Sequence, residues 1–563
     1  MSASFTRKIA FFLYFWAKLI VVKRRFLILL IAIAALGCSN RKHELADVIR
    51  YNESKGIATL DPAFASNLKT IWGTIQLFNG LVQLNDSLKV EPAIAKSWEI
   101  SPNQTLYTFH LRTDVTFHDD PAFPHGIGRK VVAADFAYSF GRLLDDNVGS
   151  PCRWIFAKLD TTFHGNGLFA ANDSTFQLKI QAPAPFLLGM LAMPPTSVVP
   201  KEAVERYKKD FRKHPVGTGP FMFKLWREGE MLVLVKNPKY FEFDAKGQRL
   251  PYLKAVNITF ITDKYSEFME FIRGNLDFIS GINQSTKDEI ITSSGKLNPK
   301  YADRIKMLEI PYLNTEYLGF TLNLPPSHPL MNPLVRKAIA IGFDRHKMIK
   351  YLRKNLTMPA ESGIIPPSIP GYKPTEKPYA YNPTLAAELL RKAGYPHGQG
   401  IPPITVTSLE DYADLLEFIQ HDLAAIGITL NIDIVPGGSF QQEMASGKLP
   451  FFRGSWIADY PDPENYMALF YSKNESPNGP NYTRFKSSEF DKLYLESFFK
   501  TGEARSQAFS KMDKILAKHT PLIPLYFDKT VRFVKKNIVG LEPNPMNYLY
   551  LKKARKINGS SSL

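Results

Sequence analysis

The chain has 563 residues and a formal charge of +17, too many residues for one compact core, so two or three domains are expected. Hydrophobic residues make up 45% and charged residues 22%. That is ordinary globular composition, and it lacks the series of ~20-residue apolar spans a polytopic membrane protein needs. Lys and Arg are scattered among Asp and Glu rather than gathered in a stripe, which argues against nucleic acid as a partner, and two cysteines are too few for a disulfide framework or a four-cysteine zinc site.

The N-terminus carries the clearest local signal. Residues 1–37 hold Arg7, Lys8, Lys18, Lys23, Arg24 and Arg25 and no acid; removing those six from 70 basic against 53 acidic residues leaves +11. Lys23-Arg24-Arg25 precedes a 12-residue apolar stretch, FLILLIAIAALG, of signal-peptide length. The stretch ends in Ala35-Leu36-Gly37-Cys38, which resembles the bacterial lipobox. In that pattern the Cys38 thiol is acylated, and several acyl chains at ~0.8 kcal/mol per buried CH₂ anchor a protein stably. Cys152 is then expected to remain a free thiol. A second apolar stretch, IAFFLYFWAKLIVV at 9–22, leaves two readings open: translation from Val21 or Val22, or a hairpin of two inserted segments. Residues 39–46 read as a polar tether.

Beyond the tether the chain alternates strand-like and helix-like segments. Residues 104–112 (QTLYTFHLR) alternate in period two and place Tyr107, Phe109 and Leu111 on one face. Helix starts are expected at Asn332-Pro333, Asn382-Pro383 and Asp462-Pro463. There the Asx side chain caps free N–H groups and proline at the first helical position loses no hydrogen bond. Leu415, Ile419, Leu423 and Ile426 have helical spacing and stop at Gly427, after which Ile428, Leu430, Ile432 and Ile434 alternate as a strand. Pro-rich stretches at 364–378 and 474–481 read as surface loops.

Searches for catalytic patterns return little. No G-x-S-x-G, H-E-x-x-H or G-x-x-x-x-G-K-[ST] occurs. Residues 165–170 match a dinucleotide fingerprint only loosely and lack the strand–helix context it requires. Gly217-Thr218-Gly219-Pro220 reads as a tight structural turn, because Pro220 removes a backbone donor that a phosphate loop would need. His110, His118 and His125 are too widely spaced for a single-helix metal site and are read as structural. No metal and no cofactor is expected, and the chain is expected not to be an enzyme.

Over residues 48–555 ordered blocks accumulate. They include Glu91-Pro92-Ala93-Ile94-Ala95-Lys96-Ser97-Trp98-Glu99, then 107–112 (YTFHLR), 115–119 (VTFHD) and 133–140 (AADFAYSF). Gly217-Thr218-Gly219-Pro220-Phe221, Asn237-Pro238-Lys239-Tyr240, Arg273-Gly274-Asn275-Leu276-Asp277, Val335-Arg336-Lys337-Ala338 and Ala458-Asp459-Tyr460-Pro461-Asp462-Pro463 follow. Together they resemble the large solute-binding proteins of peptide and nickel ABC importers, solute-binding family 5. The insert at 121–130 departs from that family's shorter loop.

The resemblance implies an α/β fold of the type II periplasmic binding protein kind, two lobes with a hinge plus an extra α/β domain. Lobe I would comprise 47–73, 195–312 and 528–563, the extra domain 74–194, and lobe II 313–527, with crossings near 312 and 527. It further implies a monomeric lipoprotein in the periplasm or at the cell surface, whose partners are short peptides and the permease subunits of an ABC transporter.

A free peptide presents an ammonium, a carboxylate and a backbone edge, and an enclosed site must pair all three. Arg453-Gly454-Ser455-Trp456-Ile457-Ala458-Asp459 offers all three within seven residues, and in an extended run Arg453, Ser455, Ile457 and Asp459 share a face. By the resemblance, Asp459 holds the ligand amine and Arg453 meets its carboxylate. The backbone of Ser455, Trp456 and Ile457, with that of Ser66, Asn67 and Leu68 across the cleft, pairs with the peptide as an added strand. Trp456 and Tyr460 line pockets or pack the core. Relatives that carry nickel chelates, cell-wall peptides or sugars, and a secreted hydrolase, stand as alternatives.

Overall fold

The computed structural model describes residues 47–281, 286–374 and 376–557. Cys38, the apolar stretches before it and the tether lie outside the described residues. Within them, the Tyr107, Phe109 and Leu111 alternation becomes the strand Leu106–Leu111, whose every second residue is buried. It is the second strand of a four-stranded antiparallel sheet, in the order Ala95–Ile100, Leu106–Leu111, Thr175–Lys179, Leu168–Asn172. The helix Ala133–Leu144 covers one face, where the Phe136 and Phe140 rings pack 6.0 and 5.6 Å from Phe176. Residues 165–170 run directly into the Leu168–Asn172 strand, so the dinucleotide reading has no helix to support it.

A second four-stranded sheet joins distant sequence. Val48–Asn52 pairs in parallel with Ala255–Thr259, which continues antiparallel to Met231–Lys236 and Phe221–Arg227. The Gly217–Pro220 turn lies against the end of the helix Leu68–Leu77. Added side-chain carbons at Gly217 and Gly219 would come within 2.1 Å of the Leu77 oxygen and 2.4 Å of the Leu77 carbonyl carbon. Glycine is therefore required there by close backbone approach. Buried His118 stitches the same turn: its Nδ1 accepts from Gly217 N and its Nε2 donates to Gly219 O, and burial depresses its pKa to about 4.

The largest sheet is threaded by two long antiparallel strands, Ile305–Phe320 and Leu522–Lys535. Residues 305–311 pair with 529–535, and 315–319 with 522–527, with a register break between Pro311 and Thr315. Phe278–Ser280 extends the sheet at one end, and Phe451–Ile457, Ile404–Ser408 and Leu430–Ile434 at the other. Separate apolar clusters flank the two halves, one including Phe271, Tyr301 and Phe533, the other Val335, Ile419 and Leu525.

The capped helix starts form as expected at all three places. Asn332 Oδ1 accepts from Leu334 N ahead of Pro333–Ile341, and Asn382 Oδ1 accepts from Leu385 N ahead of Pro383–Lys392. At the third, Asp462 Oδ1 accepts from Glu464 N ahead of the short helix Glu464–Met467 and the 3-10 turn Ala468–Phe470, and Asp462 is also held by Arg505. The helix Ala413–Ala424 ends shortly before Gly427, whose φ of +86° lets the chain reverse into Leu430–Ile434. The 364–378 stretch is an irregular segment but not a surface one: Ile364, Ile365 and Ile369 are buried. Proline prevents regular structure there, while the isoleucines supply core contacts. Among the described residues no helix is long and apolar enough to cross a membrane, and no cluster of side chains suits a metal ion.

Candidate functional site

The strand Phe451–Ile457 organises the site. On one side it pairs along its whole length with Ile305–Phe320, from Phe451 opposite Phe320 to Ile457 opposite Asn314. On its other side it meets Ile404–Ser408 at Phe452 alone, opposite Thr407. Beyond Phe452 that edge carries no second strand among the described residues, so the backbone of 453–457 is free to accept one. Tyr317 lies across Gly454, where an added side-chain carbon would stand 2.3 Å from its ring; glycine is what lets the two strands close.

The pairing register puts Arg453, Ser455 and Ile457 on the face of Leu318, Glu316 and Asn314, and Trp456 on the opposite face. The strand ends at Ile457, so period-two alternation does not reach Asp459. The chain turns there, and Asp459 joins Trp456 on the wall of a cavity of about 540 Å³. This cavity lies between two stretches of sequence, 154–190 and 456–494, and Trp154, Phe186, Tyr460 and Lys158 form much of its wall.

Asp459 is partly buried and has no cationic partner among the described residues. Asn465 is its orienting neighbour: the Asn465 Oδ1 accepts from Asp459 N (3.3 Å) and from Trp456 Nε1 (2.9 Å). Burial pushes the Asp459 carboxyl up to about 6, against the lowering effect of the Asn465 hydrogen bond. Burial also raises Glu464, deeper in the wall, although it accepts the hydroxyls of both Tyr460 and Tyr494. Tyr460 is itself buried and stacks on Phe186, with centroids 5.6 Å apart at 19°.

Arg453 has a different setting. Its guanidinium is buried, ion-paired with Glu316 and laid over the Tyr412 ring at 3.3 Å from the centroid. Glu316 and Tyr412 line a second cavity of about 650 Å³ with Arg353, Asp414, Tyr526 and Asp528. Asn314 Nδ2 donates to Glu316 Oε1 (3.0 Å) and to Asp528 (2.5 Å), and accepts at Oδ1 from Ser455 Oγ (3.1 Å). Asp528 is pushed up to about 7, first by burial and then by the Glu316 charge. Arg453 and Asp459 therefore belong to different surroundings.

Ser66 and Asn67 are exposed and line neither cavity. The Asn67 side chain accepts from Thr70 N, and its carbonyl oxygen from Thr70 N and Ile71 N, as the cap of Leu68–Leu77, which leaves its backbone N–H for other contacts. Ile457 is 46% exposed. Lys158, Trp154, Phe186 and Glu464 are absent from the sequence reading, because no motif marks them. The Pro-rich 474–481 segment contributes Asn474, Asn478, Gly479 and Pro480 to the Asp459 cavity, a role that turn composition alone does not signal. Cys152 is buried and a free thiol, and its pKa is pushed up to about 12 by burial and by Asp459.

Comparison with known proteins gives a concordant picture. Residues 89–478 match the family of bacterial extracellular solute-binding proteins, family 5 middle. The chain is 25% identical over 540 residues to the probable deoxycholate-binding periplasmic protein YgiS of Escherichia coli, covering 90% of this chain and 93% of the relative. It is 27% identical over 521 residues to the periplasmic oligopeptide-binding protein OppA of the same organism, covering 88% and 90%. Among solved structures, the ABC transporter-associated periplasmic binding protein DppA of Helicobacter pylori, in complex with the peptide STSA, superposes with a TM-score of 0.71 at 25% identity, over 90% of this chain and 98% of that one. The expected type II binding-protein architecture of two lobes holds.

Proposed function

Because the chain belongs to the bacterial extracellular solute-binding proteins of family 5, we propose that it captures short peptides outside the cytoplasm and delivers them, without chemical change, to an ABC-type importer. One observation carries the peptide reading: a partly buried carboxylate with no ion-pair partner among the described residues, Asp459, stands just past the end of a strand edge that carries no second strand from 453 to 457 among them. A peptide ammonium supplies the missing charge, and a peptide backbone supplies the missing strand. Ser66, Asn67 and Leu68 would flank the peptide from the other lobe. Arg453 would meet the carboxyl end, sharing its guanidinium with Glu316, so this contact is the weaker of the two.

Relatives with other ligands set the alternative. YgiS is named for deoxycholate, and an anion of that kind offers Asp459 no ammonium. The test is thermal unfolding with a peptide mixture and, separately, with deoxycholate, combined with mass spectrometry of small molecules released from the purified, denatured protein. Peptides should raise the melting temperature and be recovered intact. Stabilisation by deoxycholate alone would replace the reading, and recovery of cleaved peptides would make the protein a hydrolase.

The same proposal divides the chain into lobe I (47–73, 195–312 and 528–563), an extra domain (74–194) and lobe II (313–527), acting as a monomer that closes about crossings near 312 and 527. Small-angle scattering should give a monomer mass and a smaller radius on adding a bound peptide; an unchanged radius would argue against the hinge. Anchoring through Cys38 is part of the reading. Cys38→Ser should release the protein from membranes, and continued membrane binding with palmitate incorporation would place the anchor elsewhere.

A further inference from the structure

The cavity that holds Asp459 also holds a cation, Lys158, that has no ion-pair contact among the described residues and feels Glu464 only through space. The Lys158 ammonium makes no hydrogen bond among them either. Its Nζ lies 4.5 Å from the centroid of Phe498 and 5.8 Å from that of Phe186. The charge nearest in kind, Glu464, is already occupied by the Tyr460 and Tyr494 hydroxyls. The backbone around Lys158 is fixed: Lys158 O accepts from Gln181 N at 2.9 Å, and Leu159 bridges to Ile180. Burial lowers the Lys158 pKa, with Glu464 opposing.

Aromatic rings trace the way from one charge to the other. Asp459 adjoins Tyr460, Tyr460 stacks on Phe186, and Phe186 meets Phe498 at 5.4 Å and Lys158 beyond. A molecule whose ammonium sits on Asp459 thus sends its first side chain along an apolar wall that ends in a cation. An ammonium held against rings and without a contact ion pair gains from a carboxylate brought to it, and repels a second cation.

We propose that Lys158 is a specificity-determining residue that receives an anionic group on the amine-terminal residue of the ligand, so that the site favours an acidic first side chain over its neutral isostere and disfavours a basic one. This deepens the peptide reading and rests on it.

Calorimetry with the tripeptides Glu-Ala-Ala, Gln-Ala-Ala and Lys-Ala-Ala separates the two. Binding of Gln-Ala-Ala to the native protein tests peptide capture alone; the Glu-to-Gln affinity ratio tests Lys158. In the native protein the Glu peptide should bind about tenfold more tightly than the Gln peptide, the order expected for one charge-assisted contact, and the Lys peptide more weakly than either. Lys158→Met should bring the Glu-to-Gln ratio to about one, whatever its effect on the affinity for Gln-Ala-Ala, and Lys158→Arg should preserve the preference. Equal affinities for Glu and Gln peptides in the native protein, or a ratio unchanged in Lys158→Met, would overturn the assignment and leave peptide capture standing. Failure of all three peptides to bind the native protein would remove both.

Discussion

Arg453 and Asp459 are six residues apart, one inside the strand Phe451–Ile457 and the other two residues past its end, and their charges are handled in opposite ways. Arg453 is enclosed by its own partners, Glu316 and the Tyr412 ring, with Asn314 and Ser455 completing the network. Asp459 has an orienting amide, Asn465, and an open cavity, but no cation in ion-pair contact among the described residues. A charge whose counter-ion is part of the chain serves mainly the folded state. A charge left waiting raises the free energy of the empty protein and returns that energy when a ligand ammonium arrives. Under the proposed function, Arg453 serves chiefly stability and Asp459 chiefly binding.

The largest effect expected from breaking this division is at Glu316. Glu316→Gln strips a buried guanidinium of its charge partner, which should lower unfolding free energy by ~3–5 kcal/mol, read by chemical denaturation. Loss of peptide affinity with stability unchanged would reverse the roles assigned here.

Asp459→Asn should do the opposite. Removing one partner of a desolvated charge pair costs ~2–5 kcal/mol in binding, or very roughly 30-fold to several thousand-fold in affinity. Stability should hold or rise, since a neutral amide replaces a carboxylate that burial penalises. An N-acetylated peptide should lose comparable affinity on the native protein, and the two changes should not add, because both delete one contact. Equal binding by variant and native protein, with no effect of acetylation, would end the amine-anchor assignment.

A smaller and graded effect is the pH dependence. The Asp459 carboxyl lies at about 6 in the empty protein, above its ordinary range, and only its ionised form attracts an ammonium. Affinity should therefore fall as pH drops through about 6, approaching tenfold per unit below it. The stability contribution of this group has the reverse sign: the penalty of burying the ionised carboxyl is complete above about 6 and fades as pH falls toward the ordinary carboxylate range. Asp459→Asn should flatten the affinity profile in that window, and a profile unchanged in the variant would assign the titration to another group.

Much of this was legible in advance. Tyr107, Phe109 and Leu111 disclose their strand, and Asn332, Asn382 and Gly427 punctuate helices, because burial patterns and capping act over a few residues. Block order from Glu91 to Pro463 revealed the family. The site was legible in part: Asp459, Trp456 and Tyr460 do meet at one cavity. Arg453 was legible as a cation, while its commitment to Glu316 depends on a strand 137 residues earlier.

Local instructions can be read along the chain: which segments alternate, which residues cap, and that a carboxylate follows an extended run. Which charges are paired within the chain and which stay open depends on packing between remote segments. Lys158 and Phe186, about 300 and 270 residues before Asp459, come to its cavity from loops flanking the four-stranded antiparallel sheet, and Glu316 reaches Arg453 through the register of two paired strands. Electrostatic pairing falls off with distance in space, and distance in space is set by packing between segments remote along the chain.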